Sequence, residues 1–124
     1  MSAAAINHLI EGYGDDCGIV ALCEYLGRDY PEVVRAAIAV DRRQAAAGLG
    51  RRTIIRIAAQ LGVTLVLQRV FDPDEAYGII VSTDHAAVLR NGLVLDRMAV
   101  SDLADWLDNL KAQLTDCQLL VVKE

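Results

Sequence analysis

One cysteine, one histidine and one aspartate of this chain are spaced so that they could form a thiol-based catalytic site. Cys17 lies in the segment GYGDDCGIVALCEYLG (12–27), directly before an apolar stretch of helix-forming residues. A cysteine at the start of a helix is stabilised as a thiolate by unpaired backbone amides and by the positive end of the helix dipole. The position therefore suits a nucleophile.

The histidine and the aspartate lie in the segment HAAVLRNGLVLD (85–96). Asn91 and Gly92 form the favoured two-residue turn of a β-hairpin, and this turn places Ala87 opposite Asp96. His85 shares a face of its strand with Ala87, so His85 and Asp96 become diagonal neighbours about 7–8 Å apart at the backbone. The carboxylate can then orient the imidazole.

A histidine held by an acid is the usual proton acceptor for a thiol nucleophile. The residues thus predict Cys17 as nucleophile, His85 as general base and Asp96 as the group that orients it. The same residues could instead be a buried thiol and a histidine that is hydrogen-bonded at a hairpin, without any catalysis. The pattern alone leaves both interpretations open. Cys23 and Cys117 have apolar neighbours and are expected to be buried apolar residues.

Four helices are expected to position these residues. The first covers Ile19–Leu26, with Asp15 or Asp16 as N-cap and Gly27 after its C-terminus. The second covers Tyr30–Val40, and the third runs from about Thr53 to Leu61. A fourth is predicted in SDLADWLDNLKAQL (101–114), with Ser101 as N-cap and Trp106 among its core residues.

The remaining segments have the β-branched and alternating pattern of strands. About five strands are predicted, within residues 63–70, 77–82, 85–90, 93–96 and 117–124. Because three helices precede the strands, we expect one α+β domain over residues 1–124, in which the N-terminal helices pack on an antiparallel sheet and the fourth helix returns to cover it.

Composition excludes several classes of protein. The net charge of -5 argues against a nucleic-acid-binding protein, which needs a basic face. Three cysteines and two histidines do not have the spacing of a zinc site or a disulfide framework. No apolar run approaches the roughly 18–20 residues of a membrane span, and the N-terminus lacks a signal peptide. We expect a cytoplasmic protein without metal or cofactor.

The two segments DDCGIVALCEYLG and DHAAVLRNGLVLD resemble the papain-like cysteine peptidases, and among them the bacteriocin-leader peptidases that cleave after a double glycine. In those enzymes an Asp-Cys-Gly sequence opens a helix, a histidine begins a strand, and an aspartate ends the next strand. The resemblance implies a papain-like fold, a peptide or protein substrate and a catalytic triad of Cys17, His85 and Asp96.

The sequence departs from that family at two places. The family has a glutamine before the cysteine that donates to the oxyanion, whereas Glu11 stands at about this position. Either Glu11 is protonated, or Asn7 or the Cys17 amide replaces the glutamine, or the site is weak or inactive. The second departure is Arg97, where the family usually has proline after the aspartate.

Two alternative functions follow from the same residues. An inactive papain-like module could bind a partner protein without cleaving it, because a fold does not fix a function. A cell-wall peptidase of the NlpC type also uses a cysteine at a helix start, but it reads Asp-Cys-Ser-Gly and needs export. A phage-encoded protein would not need export, because it leaves the cell on lysis.

Four residues are candidates for substrate binding. Asp16 and Gly18 flank the predicted nucleophile. Arg51 and Arg52 belong to a basic cluster with Arg42 and Arg43, next to a glycine-containing loop. The cluster is either a set of solvated helix ends or a basic lip that recruits an acidic peptide segment.

Overall fold

The computed structural model describes residues 16–42, 50–82, 85–97 and 99–123. In these ranges the helices are α1 (Cys17–Leu26), α2 (Tyr30–Val40), α3 (Arg51–Gln60) and α4 (Leu103–Leu110), followed by a short 3₁₀ helix (Leu114–Asp116). The strands are β1 (Leu65–Gln68), β2 (Tyr77–Val81), β3 (Ala86–Arg90), β4 (Leu93–Asp96), β5 (Ala99–Asp102) and β6 (Gln118–Val122). The protein is α+β, as the sequence predicted.

The ends of the first three helices follow local capping rules. Asp16 is the N-cap of α1, and Gly27 ends the helix in the left-handed conformation with φ of 66°. Tyr30–Val40 has proline in its first turn, as predicted. The third helix begins at Arg51, two residues earlier than predicted, because Gly50 has the extended conformation of an N-cap residue.

The strands form one open sheet in the order β1-β6-β2-β3-β4-β5, and each neighbouring pair is antiparallel. Between β3 and β4 the predicted hairpin register is confirmed: Val88 pairs with Leu95 and Leu89 with Val94. Both turn residues have positive φ, 49° at Asn91 and 82° at Gly92. An Asn-Gly pair accommodates this conformation with little strain.

The sheet has six described strands rather than the five predicted, and the predicted start of the fourth helix was wrong. Ser101 pairs with Val94 as part of β5 and does not cap the helix. Asp102 caps it instead, because its Oδ1 accepts a hydrogen bond from the Asp105 amide at 2.9 Å. Aspartate caps a helix as well as serine does, so pairing with β4 decided where the helix begins.

Both faces of the sheet are covered by apolar packing. Helices α1, α2 and α3 pack on one face, and α4 packs on the other through Trp106. Alternate residues of each strand point to opposite faces, so Val88 faces α1 while Leu89 belongs to the α4 side. At Gly78 an added Cβ would lie 2.5 Å from the Leu120 carbonyl oxygen, so only glycine fits there.

His85 and Asp96 lie at one end of the sheet, and we call it the His85 end. There β2 ends at Val81, β3 begins at Ala86 directly after His85, β4 ends at Asp96 and β6 begins at Gln118. The antiparallel pairings of Val81 with Ala86 and of Val81 with Gln118 align these termini. Among the described residues, no helix is long and apolar enough to cross a membrane.

Candidate active site

A direct contact joins His85 to Asp96. The distance from His85 Nε2 to Asp96 Oδ2 is 2.5 Å, and both side chains are mostly buried, with 25% and 21% of their areas exposed. Because an ionised carboxylate only accepts hydrogen bonds, Nε2 carries the proton in this contact. In the neutral ring Nδ1 is then the nitrogen that can accept a proton.

The indole of Trp106 contacts the same carboxylate oxygen. Trp106 Nε1 donates a hydrogen bond of 2.9 Å to Asp96 Oδ2, and the side chain is 4% exposed. The ring centroids of Trp106 and His85 are 6.1 Å apart. Sequence analysis placed Trp106 in the core, where it lies, but missed this polar contact. Because a buried indole N–H requires an acceptor, a tryptophan predicted in the core already indicated that a polar partner must lie nearby.

Backbone contacts fix the start of the strand that carries His85. The Ser82 amide donates to the His85 carbonyl oxygen at 2.9 Å, and Ser82 Oγ donates to the same oxygen at 3.3 Å. These bonds hold the ends of β2 and β3 together. The imidazole is thus held through its backbone by Ser82 and through its ring by Asp96.

Cys17 is the first residue of α1, and its side chain is 4% exposed. The Asp16 carbonyl accepts the helical bond from the Val20 amide at 2.9 Å. Cys17 therefore lies at the positive end of the helix dipole. Gly18 is buried beside the thiol.

Asp16 acts as a structural link at this helix start. Its Oδ2 accepts from the Tyr30 hydroxyl at 2.8 Å, and its Oδ1 pairs with Arg97 Nη2 at 2.6 Å. Within the described part of the chain, the Asp16 side chain makes no capping bond to α1. Since Arg97 follows Asp96, the ion pair ties the residue before Cys17 to the residue after Asp96.

Arg97 has φ of 58°, in the left-handed region. It lies in the turn between β4 and β5, where Asp96 pairs with Ala99. Proline has φ fixed near −65° and could not adopt this conformation. The departure from the family pattern at this position thus has a local physical reason.

The other two cysteines are held in their neutral form. Burial, with a contribution from the Glu24 charge, raises the pKa of Cys23 from 9.0 to about 11. Burial also raises the pKa of the Cys117 thiol, which donates to the Gln113 carbonyl oxygen at 3.6 Å. None of the three cysteines forms a disulfide bond.

The four candidate substrate-binding residues lie at two helix starts, Asp16 and Gly18 at that of α1 and Arg51 and Arg52 at that of α3. Arg51 and Arg52 are exposed in the first turn of α3, and Arg51 Nη1 donates to Gln118 Oε1 at 2.5 Å across 67 residues of sequence. Arg42 is exposed after α2. The predicted oxyanion candidates Asn7 and Glu11, and Arg43 of the basic cluster, lie outside the described residues.

Among the described residues, no group of three or more His, Cys, Asp or Glu side chains could hold a metal ion. Comparison of the chain with protein-family models, with curated proteins and with solved structures found no match. The roles of these residues are therefore argued from the geometry alone.

Proposed function

We propose that this protein is a papain-like cysteine peptidase that cleaves a peptide or amide bond through Cys17, His85 and Asp96. The observation that carries the proposal is the contact of His85 Nε2 with Asp96 Oδ2, which leaves Nδ1 as the basic nitrogen. A histidine oriented in this way is the standard activator of a thiol nucleophile.

The placement of Cys17 supports the same function. Its helix packs on the strand that His85 begins, and the ion pair between Asp16 and Arg97 joins the start of this helix to the turn after Asp96. Both observations support a position of the thiol close to the histidine–aspartate pair. The positive end of α1 favours the thiolate.

The proposed reaction has two steps. The Cys17 thiolate attacks the amide carbonyl carbon, and His85 gives a proton to the leaving amine as the carbon–nitrogen bond breaks. Water, deprotonated by His85, then attacks the thioester, releases the acid and restores the thiol. During both steps the positive N-terminal end of α1 would stabilise the oxyanion, an effect that does not depend on Glu11 or Asn7.

The test is the rate of alkylation of Cys17 by iodoacetamide against pH, with mass spectrometry to locate the adduct. We expect rapid reaction of Cys17 well below pH 8, and slower reaction in His85→Ala and in Asp96→Ala. Cys23 and Cys117 are internal controls in the same molecule, because the raised pKa of each thiol keeps it protonated. A Cys17 rate no faster than theirs would refute the proposal.

A second measurement separates catalysis from mere thiol reactivity. With p-nitrophenyl acetate, the active protein should release nitrophenolate and carry a transient acetyl group on Cys17, which His85→Ala should form more slowly. If Cys17 is reactive but never forms or hydrolyses this thioester, the inactive binding module is the better description.

A further inference from the structure

A cavity lies at the His85 end of the sheet. Its volume is about 290 Å³, and it is lined by Gly50, Arg51, Val81, Ser82, Asp116 and Gln118. We call it the Arg51 cavity. Its size is at the lower end of the range for ligand pockets and suits one side chain rather than a whole cofactor.

In the sheet, two strands that line the Arg51 cavity, β2 and β6, lie on one side of β3, and the strand of Asp96, β4, lies on the other. Ser82 lines the cavity and also donates two hydrogen bonds to the His85 carbonyl oxygen. Gln118, at the far wall, begins β6, which lies two strands from β3 in the sheet. Neighbouring strands are about 4.8 Å apart, so this wall is about 10 Å from the strand of His85.

The cavity is on the same face of the sheet as the helix of Cys17. Val81 belongs to the core cluster under α1, α2 and α3, and Arg51 begins α3. An extended peptide advances about 3.3 Å per residue. The span of about 10 Å between β3 and the Gln118 wall therefore corresponds to about three residues of an extended substrate.

Hydrogen-bond donors dominate the polar wall. The contact of Arg51 Nη1 with Gln118 Oε1 holds the guanidinium, a group with five N–H donors, against that wall. Because Gln118 Oε1 is the accepting atom, its amide nitrogen is a further donor. Among the described lining residues, Asp116 is the one that carries a carboxylate, and its Oδ2 accepts from the Gln113 amide at 3.1 Å.

We propose that the Arg51 cavity is a specificity subsite that accepts an acidic side chain of the peptide substrate. The planar guanidinium matches a carboxylate in charge and geometry, and charge-assisted hydrogen bonds of this kind are the strong ones. This inference rests on the proposed function, since it assigns the substrate class of the same site.

The first test measures binding without catalysis. The Cys17→Ala variant is titrated with N-acetylglutamate amide, and with the corresponding glutamine and lysine amides, while NMR follows the side-chain signals of Arg51 and Gln118. We expect saturable shifts with at least about tenfold tighter binding of the glutamate probe, the ratio that one charge-assisted hydrogen bond gives. Adding Arg51→Gln should abolish this preference.

Arg56→Gln is the matched control, because Arg56 is exposed on α3 but does not line the Arg51 cavity. It should leave the preference for glutamate unchanged. Equal binding of the three probes, or tighter binding of the lysine probe through Asp116, would overturn the proposed subsite. So would a glutamate preference that survives Arg51→Gln.

The second test uses the active protein and a library of short N-acetylated peptides of randomised sequence, with cleavage products identified by mass spectrometry. We expect aspartate and glutamate to be enriched at one position, and Arg51→Glu to replace them there by lysine and arginine. Cleavage without acidic enrichment would overturn the subsite but leave the peptidase proposal standing. Binding of the glutamate probe without any peptide cleavage would overturn the peptidase proposal but leave the acidic subsite standing.

Discussion

Arg97 Nη2 lies 2.6 Å from Asp16 Oδ1, so an ion pair joins the residue after Asp96 to the residue before Cys17. These two positions are 81 residues apart in sequence. The pair links the end of β4 to the start of α1, and it does so through an aspartate that also accepts from the Tyr30 hydroxyl. The geometry of the proposed site therefore depends on contacts outside the three proposed catalytic residues.

Replacement of Arg97 separates backbone geometry from charge. Arg97→Gly keeps the positive φ and removes the ion pair, whose arginine is 49% exposed, so the free energy of unfolding should change by less than about 1 kcal/mol. Arg97→Pro cannot adopt φ of 58° and should destabilise by more than about 1 kcal/mol. Urea unfolding measures both. Equal stability of the two variants would contradict the assigned turn.

The same glycine variant tests the link to Cys17. We expect slower alkylation of Cys17 in Arg97→Gly, because the start of α1 is no longer tied to the turn after Asp96. An unchanged rate would show that the ion pair has no part in positioning the thiol.

Asp96→Asn tests the charge of the residue that orients His85. The amide oxygen can still accept from Nε2, but it cannot stabilise the imidazolium that forms during the reaction. Cys17 alkylation near neutral pH should slow by about 10²-fold or more. Asp102→Asn is the matched control, because Asp102 caps α4 and does not contact His85. The proposed role of Asp96 fails if both variants react at the wild-type rate.

Trp106→Phe removes one hydrogen bond and keeps an aromatic ring in the core. The lost bond from Nε1 to the Asp96 carboxylate should lower the free energy of unfolding by about 1–3 kcal/mol and should also slow Cys17 alkylation. Trp106 is a positioning residue in this interpretation, since it acts on His85 through Asp96.

Leu110→Ala provides the comparison for Trp106→Phe. Leu110 packs in the same apolar cluster on α4, so its truncation should destabilise the protein without changing the alkylation rate at conditions where the chain is folded. If both variants lose stability and neither changes the rate, Trp106 serves packing alone.

The raised pKa of the Cys23 thiol predicts that the folded protein loses stability in alkaline solution. Its pKa is raised from 9.0 to about 11 in the folded protein, chiefly by burial. The unfolded chain releases this proton at lower pH than the folded chain, so the stabilising contribution is complete below pH 9 and is lost as pH rises towards about 11. Burial raises the pKa of Cys117 and of Tyr25 as well, so these two groups also lower the free energy of unfolding as the pH rises.

Urea unfolding at a series of pH values checks this prediction. The free energy of unfolding should fall between pH 9 and pH 11, and Cys23→Ala should make the fall shallower. An identical slope in the variant would show that Cys23 is not among the groups responsible.

The sequence by itself determined the local parts of the site. Glycine after α1 and proline in α2 set helix ends, and Asn91-Gly92 set the hairpin register that brings His85 to Asp96. These features depend on residues within a few positions of one another, where conformational preferences and hydrogen-bond partners are fixed by the chain itself.

Only the tertiary structure decided the rest. The contacts of Trp106 with Asp96, Arg97 with Asp16 and Arg51 with Gln118 join separate elements, and β6 lies between β1 and β2 although it comes last in the chain. Ser101 and Asp102 had equal capping preferences, and the pairing of β5 with β4 chose between them. Side-chain partners across a fold depend on how whole elements pack, and local pattern does not encode that.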